Sequence, residues 1–457
     1  MFKTLNFYVT KVSAKKAEYK LPFAGLILFY VMVYLLKYRF VGCSRLMGEF
    51  LQKRFSMNYA VNSLLAYMYR QQEKFGEECD TLMRIVPSNS DDVGLLTRAA
   101  ESAAYSSDLG SLESLLDITK SNVPMHSHIR GLLAFAKGEP NYAAYFQEAV
   151  RSYLDTDKSS SPAASGKTAG VLMLEAVKSG RSLPEFIRVA SNIREFSCID
   201  DLLTDDNEIP PSSIALDASE SVTASPEGSN DPVVLISCSQ GYLSVFADWY
   251  IRTFRRKNRN IIHFHVLADD ISVSRDFIAT LKRKHSNIHY SIEPIAGNSQ
   301  TYITISRFLI CRDIMRRYNS DVLISDMDCC VDFDLRPISR ELTSQGCDFG
   351  LCNSGNYPLP WGRFAVGFSY FRVANKATGV FLDLLSRYLR WLYASGGFFS
   401  MDTVAVATVH EYMLARGHNF KLLNLNDLID FKRLLTNVPK KLQMGKIRVK
   451  FGSGVPK

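Results

Sequence analysis

Two hydropathy rhythms divide this chain. From residue 233 onward, short apolar runs of strand length alternate with longer segments whose apolar positions recur at helical spacing. Val233–Ser237 predicts a strand, Leu243–Arg256 a helix, Ile261–Leu267 a second strand, Val273–Lys284 a helix and Ile288–Ile295 a third strand. A helix over Ser306–Tyr318 leads to a fourth strand, Asp321–Ser325, and a long amphipathic helix is expected over Thr378–Tyr393. This alternation predicts an α/β domain: a mainly parallel sheet with helices on both faces. Residues 46–200 follow the other rhythm, with apolar, Ala-rich segments of helical length separated by short polar or glycine breaks. Helices are expected at Val93–Tyr105, Leu112–Ile118, Ile129–Ala136, Tyr142–Tyr153 and Val171–Val177.

Between the two lies 203–232, acidic and rich in Ser and Pro, which buries too little apolar area to order itself and reads as a linker. The expected organisation is an amino-terminal segment 1–45, an all-α domain 46–202, the linker, and an α/β domain 233–457. Gly131 to Gly138 followed by Tyr142 to Ala149 is similar to one helix pair of a tetratricopeptide-type repeat, but no fixed period runs through the region. The helical domain is therefore expected to be an interaction surface for a protein partner. Gly166-Lys167-Thr168 is not a phosphate loop: Ser161 stands where the first glycine belongs, and no strand precedes it.

Charge sharpens the picture at the amino end. The net charge is +8, and residues 1–60 hold Lys3, Lys11, Lys15, Lys16, Lys20, Lys37, Arg39, Arg45, Lys53 and Arg54 against Glu18 and Glu49. The remainder is near neutral, which argues against a nucleic-acid-binding body and for a basic end facing an anionic membrane. Leu21 to Leu36 carries no charge. A helix there would run about 24 Å, short of the ~30 Å hydrocarbon layer. A span, an interfacial helix and a core helix all stay open, and a Golgi-type single-pass anchor with them. Nine cysteines with no CxxC pair, and no Asn-x-Ser/Thr site, lean toward a reducing cytoplasmic environment or a membrane face turned to it.

The chemistry concentrates at Asp326-Met-Asp328, where the apolar run Val322–Ile324 ends in two carboxylates. Such a pair invites a small hard divalent cation shared with substrate phosphates, and strand exits are where open α/β sheets take ligands. An acidic surface turn is the plain alternative. Asp332 and Asp334 repeat the spacing in the following turn and rank lower. His263 and His265 share one strand face, and a satisfied core pair is the better reading for them than a metal site.

With the helix Tyr302-Ile-Thr-Ile-Ser306-Arg307-Phe308-Leu309 ahead of that strand, residues 233–425 resemble the GT-A class of nucleotide-sugar glycosyltransferases, most closely its family 8-like branch. The resemblance implies a GT-A fold, a nucleotide-sugar donor (a UDP-sugar first), a glycan, protein or lipid acceptor, and Mn²⁺ or Mg²⁺. It implies that Asp328 is a metal ligand, that Asp326 binds the ribose region and helps hold the metal, and that Arg307 faces the diphosphate or Asp326. Ser239 and Tyr242, after the first strand, become nucleotide contacts, or ordinary turn residues. Gly367, in Arg363-Phe-Ala-Val-Gly367, would let the backbone approach the sugar, and Ala365 replaces the family's asparagine. Asn353 is a substitute for that amide, or a plain loop residue. Asp402 matches a family acid facing the donor sugar, or serves as a helix-start acid. Lys450 stands where retaining relatives carry a metal-binding histidine, so the site lacks that ligand or Lys450 serves the diphosphate. His418 reads better as a helix-end residue. A haloacid-dehalogenase-type phosphatase fits less well, because Cys330 occupies its Thr/Val position and the strand is the fourth. An inactive transferase-like scaffold stays open because of Ala365, Ser400 and Lys450.

Overall fold

A computed structural model describes residues 23–37, 41–155, 231–294, 300–354, 359–394 and 401–429. The chain divides into two compact units, Met1–Ala169 and Gly170–Lys457. The expected break near 202, most of the linker, the helix Val171–Val177 and Lys450 lie outside the described residues.

The described part of the first unit is helical: α1 (Phe23–Lys37), α2 (Val41–Arg54), α3 (Tyr59–Gln71), α4 (Phe75–Met83), α5 (Val93–Ser106), α6 (Leu109–Ile118), α7 (Val123–Ala136) and α8 (Tyr142–Asp155). Asn58, Asp92, Asp108 and Asn122 cap α3, α5, α6 and α7, each side chain accepting an orphan N–H of the first turn. Short polar breaks between capped helices make sequential neighbours pack. The breaks seen in the sequence are these caps. In α7 and α8 the pairing depends on Gly131, where a Cβ would lie 2.7 Å from the Phe146 ring. Glu78, fully buried, is held by Arg70 and Arg98 at 2.9 and 2.7 Å. The 21–36 segment lies largely in α1. Its Phe29 and Met32 are buried in a cluster with Leu51, Leu65 and Met68. No helix among the described residues is long and apolar enough to cross a membrane.

The second unit is an α/β structure built on a seven-stranded sheet of order β3-β2-β1-β4-β6-β5-β7. Its elements are β1 (Val233–Ser239), α9 (Gln240–Phe254), β2 (Ile262–Ala268), α10 (Ile271–Lys284), β3 (Ile288–Pro294), α11 (Gln300–Tyr318) and β4 (Val322–Ser325). There follow α12 (Arg336–Ser344), β5 (Phe349–Asn353), α13 (Pro360–Arg363), β6 (Phe364–Phe371), α14 (Lys376–Ala394), α15 (Met401–Ala415) and β7 (Leu422–Asn424). Side chains alternate across the sheet. Val233, Leu235, Val322 and Ile324 pack under α11, α14 and α15, while Val234, Ile236, Cys238 and Leu323 pack with α9, α10 and α12. Burying each such Val, Leu or Ile contributes roughly 1.5–3 kcal/mol. Both faces are covered, which is why these strands read as continuous apolar runs.

The first four strands follow the expected pattern, each paired in parallel: β2 with β3, β1 with β2, and β1 with β4. The sheet is nevertheless mixed, because β6 runs antiparallel to both β4 and β5. Residues 354–363, which join β5 to β6, are fewer than a parallel crossover needs. Helix α11 begins six residues before the sequence expectation, and α9 three before, because Ser239 caps it.

Candidate active site

The chain passes from β1 to β2 and β3 on one side, then returns past β1 to place β4 on the other. That reversal falls between the carboxyl ends of β1 and β4, the place where open sheets of this kind take ligands. Ser239 and α9 leave one strand end, and Asp326 leaves the other. At the β4 exit the Asp326 N–H donates to the Gly367 carbonyl at 2.8 Å, and the Asp326 carbonyl accepts from Cys329 N–H at 3.0 Å. This turn folds the acidic segment back on itself. Ligand atoms of Asp326, Asp328 and Cys329 lie within 4.8 Å of one another.

Arg307 comes to this point from α11, buried, and pairs with Asp326 through Nη1 and with Asp402 through Nη2, the latter at 2.7 Å. Its helix is pinned on the sheet side by three polar contacts. Ser306 meets Ser237 at 2.5 Å, Tyr318 meets His263 at 2.8 Å, and Tyr302 donates to Glu293 at 2.6 Å. His263 and His265 are fully buried and bonded to Ser291, which is the satisfied-core arrangement. Burial, with the neighbouring positive charges, keeps the His263 pKa well below its ordinary value, so it stays neutral.

Electrostatics follow from these contacts. Burial alone would lower the Arg307 pKa, but the charges of Asp326 and Asp402 overcome it and raise it. Burial raises the Asp402 carboxyl, opposed by Arg307. Tyr242, in the first turn of α9, has its phenol pushed up by burial and by the Asp326 charge. Asp326, Asp402 and Asp328 bring three carboxylates to the region of the Arg307 guanidinium. Asp326 and Asp328 offer carboxylate oxygens, the donors a hard ion takes, and burial with the Asp326 charge pushes the neighbouring Cys329 thiol well up.

The other expected residues are distributed as follows. Ser239 has its hydroxyl oxygen occupied as the α9 cap, accepting from Tyr242 N–H at 3.3 Å. Gly367 does make a close approach, but to Asp326: a Cβ there would collide with the carboxylate, 2.9 Å from its Cγ. Asp402 stands at the start of α15, so it is both a first-turn acid and the second partner of Arg307. Asn353 ends β5, which points the same way as β4 but lies two strands over across β6; its N–H donates to Asn424 Oδ1 and its carbonyl accepts from Asn426 Nδ2, both at 3.0 Å. Its side-chain Oδ1 is buried with no hydrogen-bond partner among the described residues. His418 follows α15, exposed, its N–H donating to the Met413 carbonyl. Asp334 is spent on Arg336.

Sequence reading passed over Asn424 and Asn426, which fix the β5 exit, and the Arg363–Glu411 ion pair where β6 begins. The only signal was the polar Asn424-Leu-Asn426-Asp427 run after the apolar Leu422-Leu423.

No protein-family model matches the chain, and no curated protein matches it. Among solved structures, the chain is similar to the apo structure of the WbbM bifunctional glycosyltransferase, with 13% identity and a TM-score of 0.27. That likeness covers 49% of this chain and 52% of that one. A likeness at that TM-score assigns no function.

Proposed function

We propose that the second unit is a metal-dependent glycosyltransferase of GT-A type, moving a sugar from a nucleotide diphosphate, UDP first, to a glycan, protein or lipid acceptor. The observation that supports it most is the Asp326–Arg307–Asp402 cluster at the carboxyl ends of β1 and β4, with Asp328 and its carboxylate oxygens beside it. Asp326 and Asp328 would hold Mn²⁺ or Mg²⁺, which when bound neutralises the charge developing on a departing nucleoside diphosphate. Arg307, paired with an acid on each side, holds Asp326 and Asp402 in fixed orientations. Tyr242 and the α9 start form the wall on which a nucleoside would rest, and the unpaired Asn353 Oδ1 is an acceptor suited to a sugar hydroxyl. Lys450 as a diphosphate contact and retention of anomeric configuration rest on the family resemblance alone.

Mass-spectrometric screening of a nucleotide-sugar panel with Mn²⁺ tests this. Slow, metal-dependent release of nucleotide from one donor, abolished by Asp328→Ala, is the expected result. A protein that hydrolyses none of the donors and binds them equally well without metal is a non-catalytic binding unit instead.

A further inference from the structure

We propose that the amino-terminal helices dock the protein on an anionic lipid surface, lying in the interface rather than crossing it. Helix α1 spans Phe23–Lys37, about 22 Å at the usual rise and short of the ~30 Å hydrocarbon core. Its Phe29 and Met32 are buried against α2 and α3, so that face is committed to protein. Elsewhere on α1, Tyr30 and Tyr34 are 54% and 57% exposed, one turn apart. Helix α2 repeats the arrangement: Leu46 is 60% and Phe50 54% exposed, also one turn apart.

Scattered apolar side chains on a surface need no explanation, but an exposed pair one turn apart on each of two consecutive helices gives each helix an apolar stripe of the kind that docks. Charge identifies what it docks to. Lys53 and Arg54 are exposed and continue the Leu46–Phe50 stripe along α2, and residues 1–60 carry ten basic side chains against Glu18 and Glu49. Glu49 is itself occupied by Arg45 and by the Tyr69 hydroxyl. An apolar stripe edged by lysine and arginine matches an anionic bilayer, where the apolar side chains enter the acyl boundary and the basic ones meet headgroups. Tyrosines suit the same depth, having an apolar ring and a polar tip. A second copy of the chain fits less well, since pairing this face with itself opposes like charges.

The test is co-sedimentation of the full chain with phosphatidylcholine vesicles, with and without phosphatidylserine, at low and high salt. Binding is expected with phosphatidylserine, weakened but not lost at high salt. Leu46→Asp/Phe50→Asp should reduce partition at least about tenfold through lost apolar burial. Lys53→Glu/Arg54→Glu should reduce it at least about 20-fold, from roughly fivefold per basic residue near the surface. The second variant keeps the test decisive if the first fails to fold, which circular dichroism reports. Absence of binding to phosphatidylserine vesicles overturns the proposal, as does binding that neither variant changes. A wild-type dimer that Leu46→Asp/Phe50→Asp dissociates, with no vesicle binding, makes this face an interface between copies. Donor hydrolysis by the other unit is independent of every one of these outcomes.

Discussion

Replacing Arg307 by methionine keeps an unbranched apolar stem and removes the guanidinium from between two acids. Asp326 would lose little, because its side chain is 38% exposed and water takes over the solvation. Asp402 is the costly partner: its side chain is 7% exposed, and without Arg307 it is a buried carboxylate with no counter-charge. Breaking a buried pair from one side costs about 3–5 kcal/mol, a drop in melting temperature of roughly 10 °C for a unit of this size. The pH dependence has a definite sign. The Asp402 carboxyl already lies above its unfolded value because of burial, and loss of Arg307 raises it further. A group raised in the folded state contributes its stability below the unfolded pKa and loses it as pH rises through the folded pKa. The gap between variant and wild type should therefore be wider at neutral pH than near about pH 5. Adding Asp402→Asn removes the stranded charge and should recover at least about half of the loss. Thermal unfolding of the three proteins at both pH values is the assay. A loss under about 1 kcal/mol, or no recovery in the double variant, would refute the reasoning.

Three glycine substitutions probe packing elsewhere. Gly367→Ala places a methyl group where the Asp326 carboxylate sits, on a strand already tied to Asp326 N–H, so about 1–3 kcal/mol of stability and metal-dependent nucleotide binding should go together. Melting curves with and without nucleotide and Mn²⁺ check both. Gly131→Ala sets a methyl group 2.7 Å from the buried Phe146 ring and should cost about 1–3 kcal/mol in the helical unit, read from its unfolding transition. Gly138→Ala meets no neighbour but must hold φ +70°, so about 1 kcal/mol is expected by the same measurement.

The parallel half of the sheet was legible because burial on both faces leaves unbroken apolar runs such as Val233–Ile236 and Val322–Ile324, with charged helices between them. The reversal at β6 was not, since strand direction depends on the length of the β5–β6 connection rather than on the strand's own residues. The Asp326/Asp328 pair was visible from composition at a strand exit. Its partnership with Asp402 was not, because 95 residues separate Arg307 from Asp402 and only the stacking of α15 beside α11 brings them together. Asp402 was named through family resemblance, not spacing. Gly367 was read as letting the backbone approach a sugar, and the group found against it is the Asp326 carboxylate of the same chain. The Ser239 cap was hidden by its neighbours Gln240 and Gly241, which read equally well as a turn.

The central claim is that Asp328 grips a divalent cation through which a diphosphate is held. Calorimetric titration of UDP into the full chain, with Mn²⁺ and with EDTA, measures it most directly. Affinity should depend on the metal and fall at least about tenfold in Asp328→Ala, since even outer partners of metal ligands cost roughly 10–100-fold. Equal affinity in manganese and in EDTA, unchanged by the substitution, would contradict the account.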